Sequence, residues 1–292
     1  MTFAEKLKNI RKQAGMSQEQ LAEKIGVSRQ AVTKWETGTG IPDIENIKSI
    51  SALSGVSIDE LLSEEGLRAE KADFLYESVT EYDIDGRKDY DIKLGGASRL
   101  VIRGYDGEKL RVRLASNTLA TIQSDFKVKI DDVKNRIDVD VTRKNDITEA
   151  TAKEALTIFL TLPTPYLGKI EAAINAEAVE IASLECESVE LDAKISRLTL
   201  DGVKGTVEVN CNLDMTIDCL TLNGSVEINQ LSATSRINVP KDAAFTARVK
   251  GVGTTVSYEK GGKPAEPFAA DGAENVIELN GMKSELIVCA AE

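Results

Sequence analysis

The sequence predicts two fold classes in one chain, a small domain of five short helices followed by a large all-β domain, and three observations carry that reading. Helical periodicity and helix punctuation run through residues 1–66. Strand-type alternation takes over by residue 86 and continues to residue 292. Within it, pairs of apolar residues one position apart return every 8 to 11 residues. At 292 residues the chain exceeds the ~100–200 residues of an ordinary domain, and its 42% hydrophobic and 29% charged composition is that of a folded chain rather than a disordered one.

Leu7, Ile10 and Ala14 fall on one face of a first helix that Gly15 stops. Ser17, three residues before Gln20, makes a capping-box start for a second helix that turns Leu21, Ala22 and Ile25 inward and closes at Gly26. Ser28 caps a third helix running to about Thr37, with Val32 and Trp35 as its inner side. Pro42 and Asp43 open a fourth, bearing Ile44, Ile47, Ile50 and Leu53, and Ser57 opens a short fifth with Ile58, Leu61 and Leu62. Residues 67–85 are charged and weakly patterned, which predicts a linker. From 86 the period is two, as in SRLVIRGYDG, KLRVRLAS and LTIFLTLP. The pairs Val179/Ile181, Val189/Leu191, Leu198/Leu200, Val207/Val209, Met215/Ile217, Val226/Ile228 and Ile237/Val239 then recur so regularly that a β-solenoid with two strands per coil is expected, with a β-sandwich as the alternative. Asn223-Gly224 is the main tight-hairpin signal among the intervening turns, and that scarcity favours the solenoid.

The chain contains no histidine, which removes His-based triads, His general bases and His metal ligands. Cys186, Cys211, Cys219 and Cys289 show no C-x-x-C spacing and read as reduced core residues. The net charge of −12 is unevenly spread: residues 1–41 carry seven Lys/Arg against four Glu, a formal +3, and the remainder carries −15. No apolar run of membrane-spanning length exists, and the charged, amphipathic start lacks the apolar core of a signal peptide, so a cytoplasmic protein without a membrane partner is expected.

The strongest chemical signal is Gln18 to Thr37, QEQLAEKIGVSRQAVTKWET. A helix-turn-helix needs a small residue where its helices cross, a Gly at the turn and an apolar residue locking the second helix, and Ala22, Gly26 and Val32 stand at those places. Residues 1–66 resemble the phage-repressor/Cro-type, or XRE-family, helix-turn-helix domain: VSRQAVTKWETG is similar to its recognition helix, and IPDIENIKSISALSGVSIDELL to its fourth and closing helices. If Ser28 caps the third helix, Arg29, Gln30, Thr33 and Lys34 share the face opposite Val32 and Trp35 and are the expected base readers, Arg toward guanine and Gln toward adenine. Gln18 and Ser28 are the expected phosphate contacts. The resemblance further implies a structural ion pair between Arg11 and Glu36.

From LTIFLTLP to INVPKDAAFTARVKGVGT the β region resembles bacterial adhesin-type domains, which implies a right-handed β-solenoid and no chemistry. Asp131, Asp132, Asp138 and Asp140 read as a turn and a solvated strand face rather than a metal or hydrolytic site, and Lys250 to Thr255 and Gly261-Gly262 as turns rather than a phosphate loop. No catalytic, metal or cofactor residue is expected. The sequence therefore reads as a DNA-binding transcriptional regulator of the repressor type, a homodimer on a palindromic operator in double-stranded DNA. Its β domain would sense, oligomerise or bind an unknown ligand or protein. The alternative is an interaction scaffold whose β domain carries the activity.

Overall fold

The N-terminal part of the chain forms four helices, α1 (Phe3–Gln13), α2 (Gln18–Ile25), α3 (Arg29–Glu36) and α4 (Ile44–Ser54), and side-chain caps start the last three. The computed structural model describes residues 3–14, 16–54, 56, 58, 61, 74–144 and 146–290. It divides the chain into two compact units, Met1–Asp73 and Phe74–Glu292. In the helical unit Leu7, Leu21, Ala22, Val32, Trp35, Ile47, Ile50 and Leu61 form one buried cluster. Asp43 Oδ1 accepts from the Asn46 backbone N–H at 2.9 Å and starts α4. One expectation, at Ala14, fails here. Ile44 and Leu53 are exposed, because steps of three residues advance only about 300° each and carry the two ends of the series to opposite sides of the helix. Ala14 follows α1 and is exposed. Gly15 and most of the fifth helix expected from Ser57 lie outside the described residues, although Leu61 is fully buried and Ile58 packs beside it.

The second unit opens with β1 (Tyr76–Asp83), β2 (Lys88–Tyr105), β3 (Lys109–Ser116), β4 (Phe126–Val133), β5 (Arg136–Arg143) and β6 (Thr157–Pro163), with helices α5 (Ile122–Asp125) and α6 (Glu149–Ala155) before β4 and β6. There follow β7 (Leu167–Ala182), β8 (Glu185–Lys194), β9 (Arg197–Asp201), β10 (Lys204–Asn210), β11 (Thr216–Cys219) and β12 (Asn223–Leu231). The remaining strands are β13 (Thr234–Val239), β14 (Phe245–Val252), β15 (Thr255–Lys260), β16 (Lys263–Pro264), β17 (Asn275–Met282) and β18 (Glu285–Ala290). The expected linker 67–85 is thus wrong at its end: β1 lies within it, antiparallel to β3. Glu77 and Glu81 on β1 accept from Arg113 and Arg111 on β3, both at 2.7 Å, which is why so charged a segment forms a strand.

Strands two apart in the chain pair in parallel: β8 with β10, β10 with β12, β9 with β11, and β11 with β13. The long strands β2 and β7 pair with each other over residues 88–103 and 167–182, and β7 continues to β8 through its first half and to β9 through its second. The apolar pairs stack in register, Val189–Val207–Val226 and Leu191–Val209–Ile228 in one ladder and Leu198–Ile217–Ile237 in the other, all of them buried. Gly205 and Gly224 sit opposite each other in this stack, at φ +120 and +139. A Cβ at Gly224 would lie 2.1 Å from the Gly205 carbonyl oxygen.

Further along, the order changes. β17 lies between β12 and β14, and β18 between β13 and β15. Beyond them Phe268 packs edge-on against Phe245 and Tyr258, at centroid distances of 6.0 and 5.1 Å. Asp131 and Asp132 lie inside β4 rather than in a turn, and Lys129 and Lys88 pair with them. All four cysteines are free; burial pushes the Cys219 thiol up to about 12 and the Cys186 thiol to about 11, so both stay protonated.

Candidate nucleic-acid interface

The interface is built on two caps and a turn. Ser17 Oγ accepts from the Gln20 backbone N–H at 3.2 Å while Gln20 Oε1 accepts from the Ser17 N–H at 2.8 Å, a closed capping box at the head of α2. Gly26 takes the left-handed conformation at φ +76 and ends α2, and the Val27 N–H returns to the Ala22 carbonyl at 2.9 Å. Ser28 Oγ accepts from the Ala31 N–H at 3.2 Å and starts α3. Ala22 and Val32 are buried in the core the two helices share.

On the outer side of α3, Arg29, Gln30 and Lys34 are exposed, opposite the buried Val32 and Trp35. Thr33 is half-buried, with its Oγ1 3.0 Å from the Arg29 carbonyl and 3.2 Å from Gln18 Oε1. Gln18 is not a free side chain either: its Nε2 donates to Glu36 Oε2 at 2.8 Å. Arg11 clamps the same carboxylate, Nε to Oε1 at 2.6 Å and Nη2 to Oε2 at 2.9 Å, and its Nη1 donates to the Met16 carbonyl at 2.8 Å. The Glu36 side chain is 2% exposed. Burial alone would raise its pKa; the hydrogen bonds from Arg11 and Gln18 and the Arg11 charge outweigh burial and hold it below the usual carboxylate range. The Arg11 pKa is raised in turn, chiefly by its hydrogen bond to Glu36. Sequence reasoning missed the tie from Gln18 to Glu36, which joins residues 18 positions apart and leaves no local signal.

The helix-turn-helix family matches residues 7–61. Those residues form an XRE-type helix-turn-helix domain. The domain is 52% identical over 67 residues to the HTH-type transcriptional activator BcrR of Enterococcus faecalis, an alignment covering 23% of this chain and 33% of that protein. It is 41% identical over 61 residues to the cryptic phage CTXphi transcriptional repressor RstR of Vibrio cholerae, covering 21% of this chain and 54% of that one. The chain thus spans a third to about half the length of these curated relatives. Outside the helix-turn-helix domain, the β unit aligns weakly with solved structures. One is a cell-adhesion-type protein from Clostridium sporogenes, at 12% identity and a TM-score of 0.38 over 74% of this chain and 99% of that chain. Another is an adhesin-type protein from Bacteroides fragilis, at 12% identity and 0.37 over 73% and 97%. Among the described residues no helix is long and apolar enough to cross a membrane.

Proposed function

We propose that the chain is a sequence-specific transcriptional regulator whose helix α3 enters the major groove of double-stranded DNA and reads bases through Arg29, Gln30 and Lys34. One observation carries the reading: these three side chains are exposed on the side of α3 opposite Val32 and Trp35, which are held in the core of a helix-turn-helix domain. Arg29 matches guanine O6 and N7, and Gln30 matches adenine N6 and N7. Thr33, its hydroxyl already engaged, contributes by fixing Gln18. Gln18 keeps a second amide N–H, and Ser28 its hydroxyl proton, to donate to backbone phosphates. The Arg11–Glu36 pair holds the frame and contacts no base.

The +3 of residues 1–41 is too small a field to hold one copy on DNA at physiological salt against −15 elsewhere, which favours a homodimer on a palindromic operator with half-sites about 34 Å apart. The relatives include both an activator and a repressor, so the domain supplies an address, and repression follows where that address overlaps a promoter. The parallel pairing of strands two apart in sequence supports a β-solenoid over a sandwich for the second unit, and we assign that unit to sensing, oligomerisation or partner binding. Its column of in-register carboxylates, Glu171, Glu190, Glu208 and Glu227, makes a face that a duplex repels.

Binding-site selection from random duplexes with the full chain, followed by mobility shift at about 0.15 M salt, tests the reading. A single enriched motif bound as a discrete complex is expected. Equal, weak binding to all duplexes would overturn it.

A further inference from the structure

In the β unit, exterior positions fall in register across five strands: Asp140 on β5, Lys93 on β2, Ala173 on β7, Asp192 on β8 and Asn210 on β10. Four of the five carry polar or charged side chains. At Ala173 the column narrows to a methyl, and an open cleft of about 500 Å³ lies there on the surface, bordered by Arg143 and by Glu149 of α6. That volume lies within the ~300–1,000 Å³ of small-molecule sites.

We infer that this cleft binds a small zwitterion of the free amino-acid class. It presents both signs of charge: Lys93, Arg143 and Lys194 on one count, Asp192 and Glu149 on the other. The cations are only loosely paired within the protein. Arg143 approaches Glu149 no nearer than 3.7 Å, Lys194 has no ion pair among the described residues, and Lys93 is paired only with Asp91 on its own strand, in solvent. Asp192 is held in place from one side. Asn280 donates to Asn229 at 2.9 Å, Asn229 to Asn210 at 2.7 Å, and Asn210 to Asp192 Oδ1 at 2.9 Å, which orients the carboxylate and leaves Oδ2 to accept from a ligand. α6 is fastened beside the cleft by Lys153, which donates to Asn175 at 3.0 Å, and by Asn175, which donates to Glu149.

Size and charge together select the ligand. Lys93 and Asp192 flank Ala173 on the two neighbouring strands, their Cα atoms about 10 Å apart at about 4.8 Å per strand, so one cation and one anion stand on opposite sides of the cleft for a ligand that carries both charges. No aromatic ring lines the cleft, so a sugar has no stacking surface. Glu171 and Glu190 occupy the next exterior column and repel a polyanion. The inference gives a chemistry to the sensing role proposed above, and depends on that role only for what the ligand does to DNA binding.

Calorimetric titration of the full chain without DNA tests it, using glycine, L-alanine, L-glutamate and L-lysine, with acetate, methylammonium and phosphate as single-charge controls. At least one amino acid is expected to bind saturably, its affinity falling about ten-fold or more in Asp192→Asn and in Ala173→Leu, which fills the cleft from an exposed strand position and leaves thermal unfolding unchanged. No saturable heat from any amino acid, a control that binds as tightly, or binding unaltered in Ala173→Leu would overturn it. Because DNA is absent, failure here is separate from failure of the operator-binding experiment.

Discussion

Glu36 Oε2 accepts two hydrogen bonds at once, from the Arg11 guanidinium at 2.9 Å and from the Gln18 amide at 2.8 Å. A residue proposed to meet a DNA phosphate and an ion pair proposed to hold the frame are therefore one network, which Thr33 ties to α3 a second time, one turn before Glu36. Changes at Gln18 are therefore expected to act on both DNA affinity and stability.

Gln18→Ala is expected to weaken binding to all duplexes by a similar factor, since phosphate contacts do not read sequence. It should also destabilise the helical unit by about 1 kcal/mol through the lost hydrogen bond to Glu36. Trp35 is the single tryptophan and is buried in that unit, so its fluorescence follows helical unfolding within the full chain. A loss confined to the preferred site, or unchanged unfolding, would count against the double role.

Arg29→Ala and Gln30→Ala should each cost about 1–3 kcal/mol at the selected site and relax preference at one base pair. Competition binding against single-base variants of the site measures both effects. Wild-type affinity in both variants would remove α3 as the reading element.

The depressed pKa of Glu36 fixes the direction of a pH effect. Its contribution to stability is fully present above the unfolded carboxylate value, about 4.3, and is lost as pH falls through the lower folded value. Arg11→Met should cost about 3 kcal/mol at neutral pH, because it leaves a buried carboxylate without its cation. In that variant only the Gln18 hydrogen bond and the Lys8 charge still oppose burial, so the carboxylate contributes less stability for acid to remove. Trp35-detected denaturant melts from pH 7 to 3 should show a smaller acid-induced loss in the variant than in the parent.

Gly224→Ala should destabilise the β unit by more than about 3 kcal/mol, since φ +139 and a 2.1 Å approach to the Gly205 carbonyl both forbid a side chain. Circular dichroism during denaturant unfolding reports the loss. An unchanged midpoint would mean that the stack can part at this layer.

Light scattering of the full chain with and without a palindromic selected site should find two protomers per duplex at saturation. One protomer per duplex would end the dimer reading.

Much of the helical unit was legible because its signals are local. Ser17 with Gln20, Gly26 and Ser28 each act within four residues of themselves, and the helices they bound lie where expected. Ile44 and Leu53 lie on α4 as expected, and their exposure has an equally local reason, a spacing of three that drifts around a helix. In the β unit, burial of the paired apolar residues was legible from period two, whereas pairing partners were not. The strand at 76–83 is hidden because its stability comes from Arg111 and Arg113, some 30 residues on. Among the candidate site residues, exposure at Arg29, Gln30 and Lys34 followed from helix geometry, but the engagement of Gln18 and Thr33 depends on how α2 and α3 cross.

The place of β17 and β18 between earlier strands changes what a truncation means. A stop codon after residue 274 would not trim the stack; it would withdraw a middle layer and leave β14 and β15 facing β12 and β13 across a gap with no register to accept them. During synthesis the same geometry makes β14 and β15 wait, made but unplaced, until the layer beneath them has arrived. Lengthening such a stack by duplication is open within the β7–β13 array, where each strand rests on one already made, and closed at this keystone.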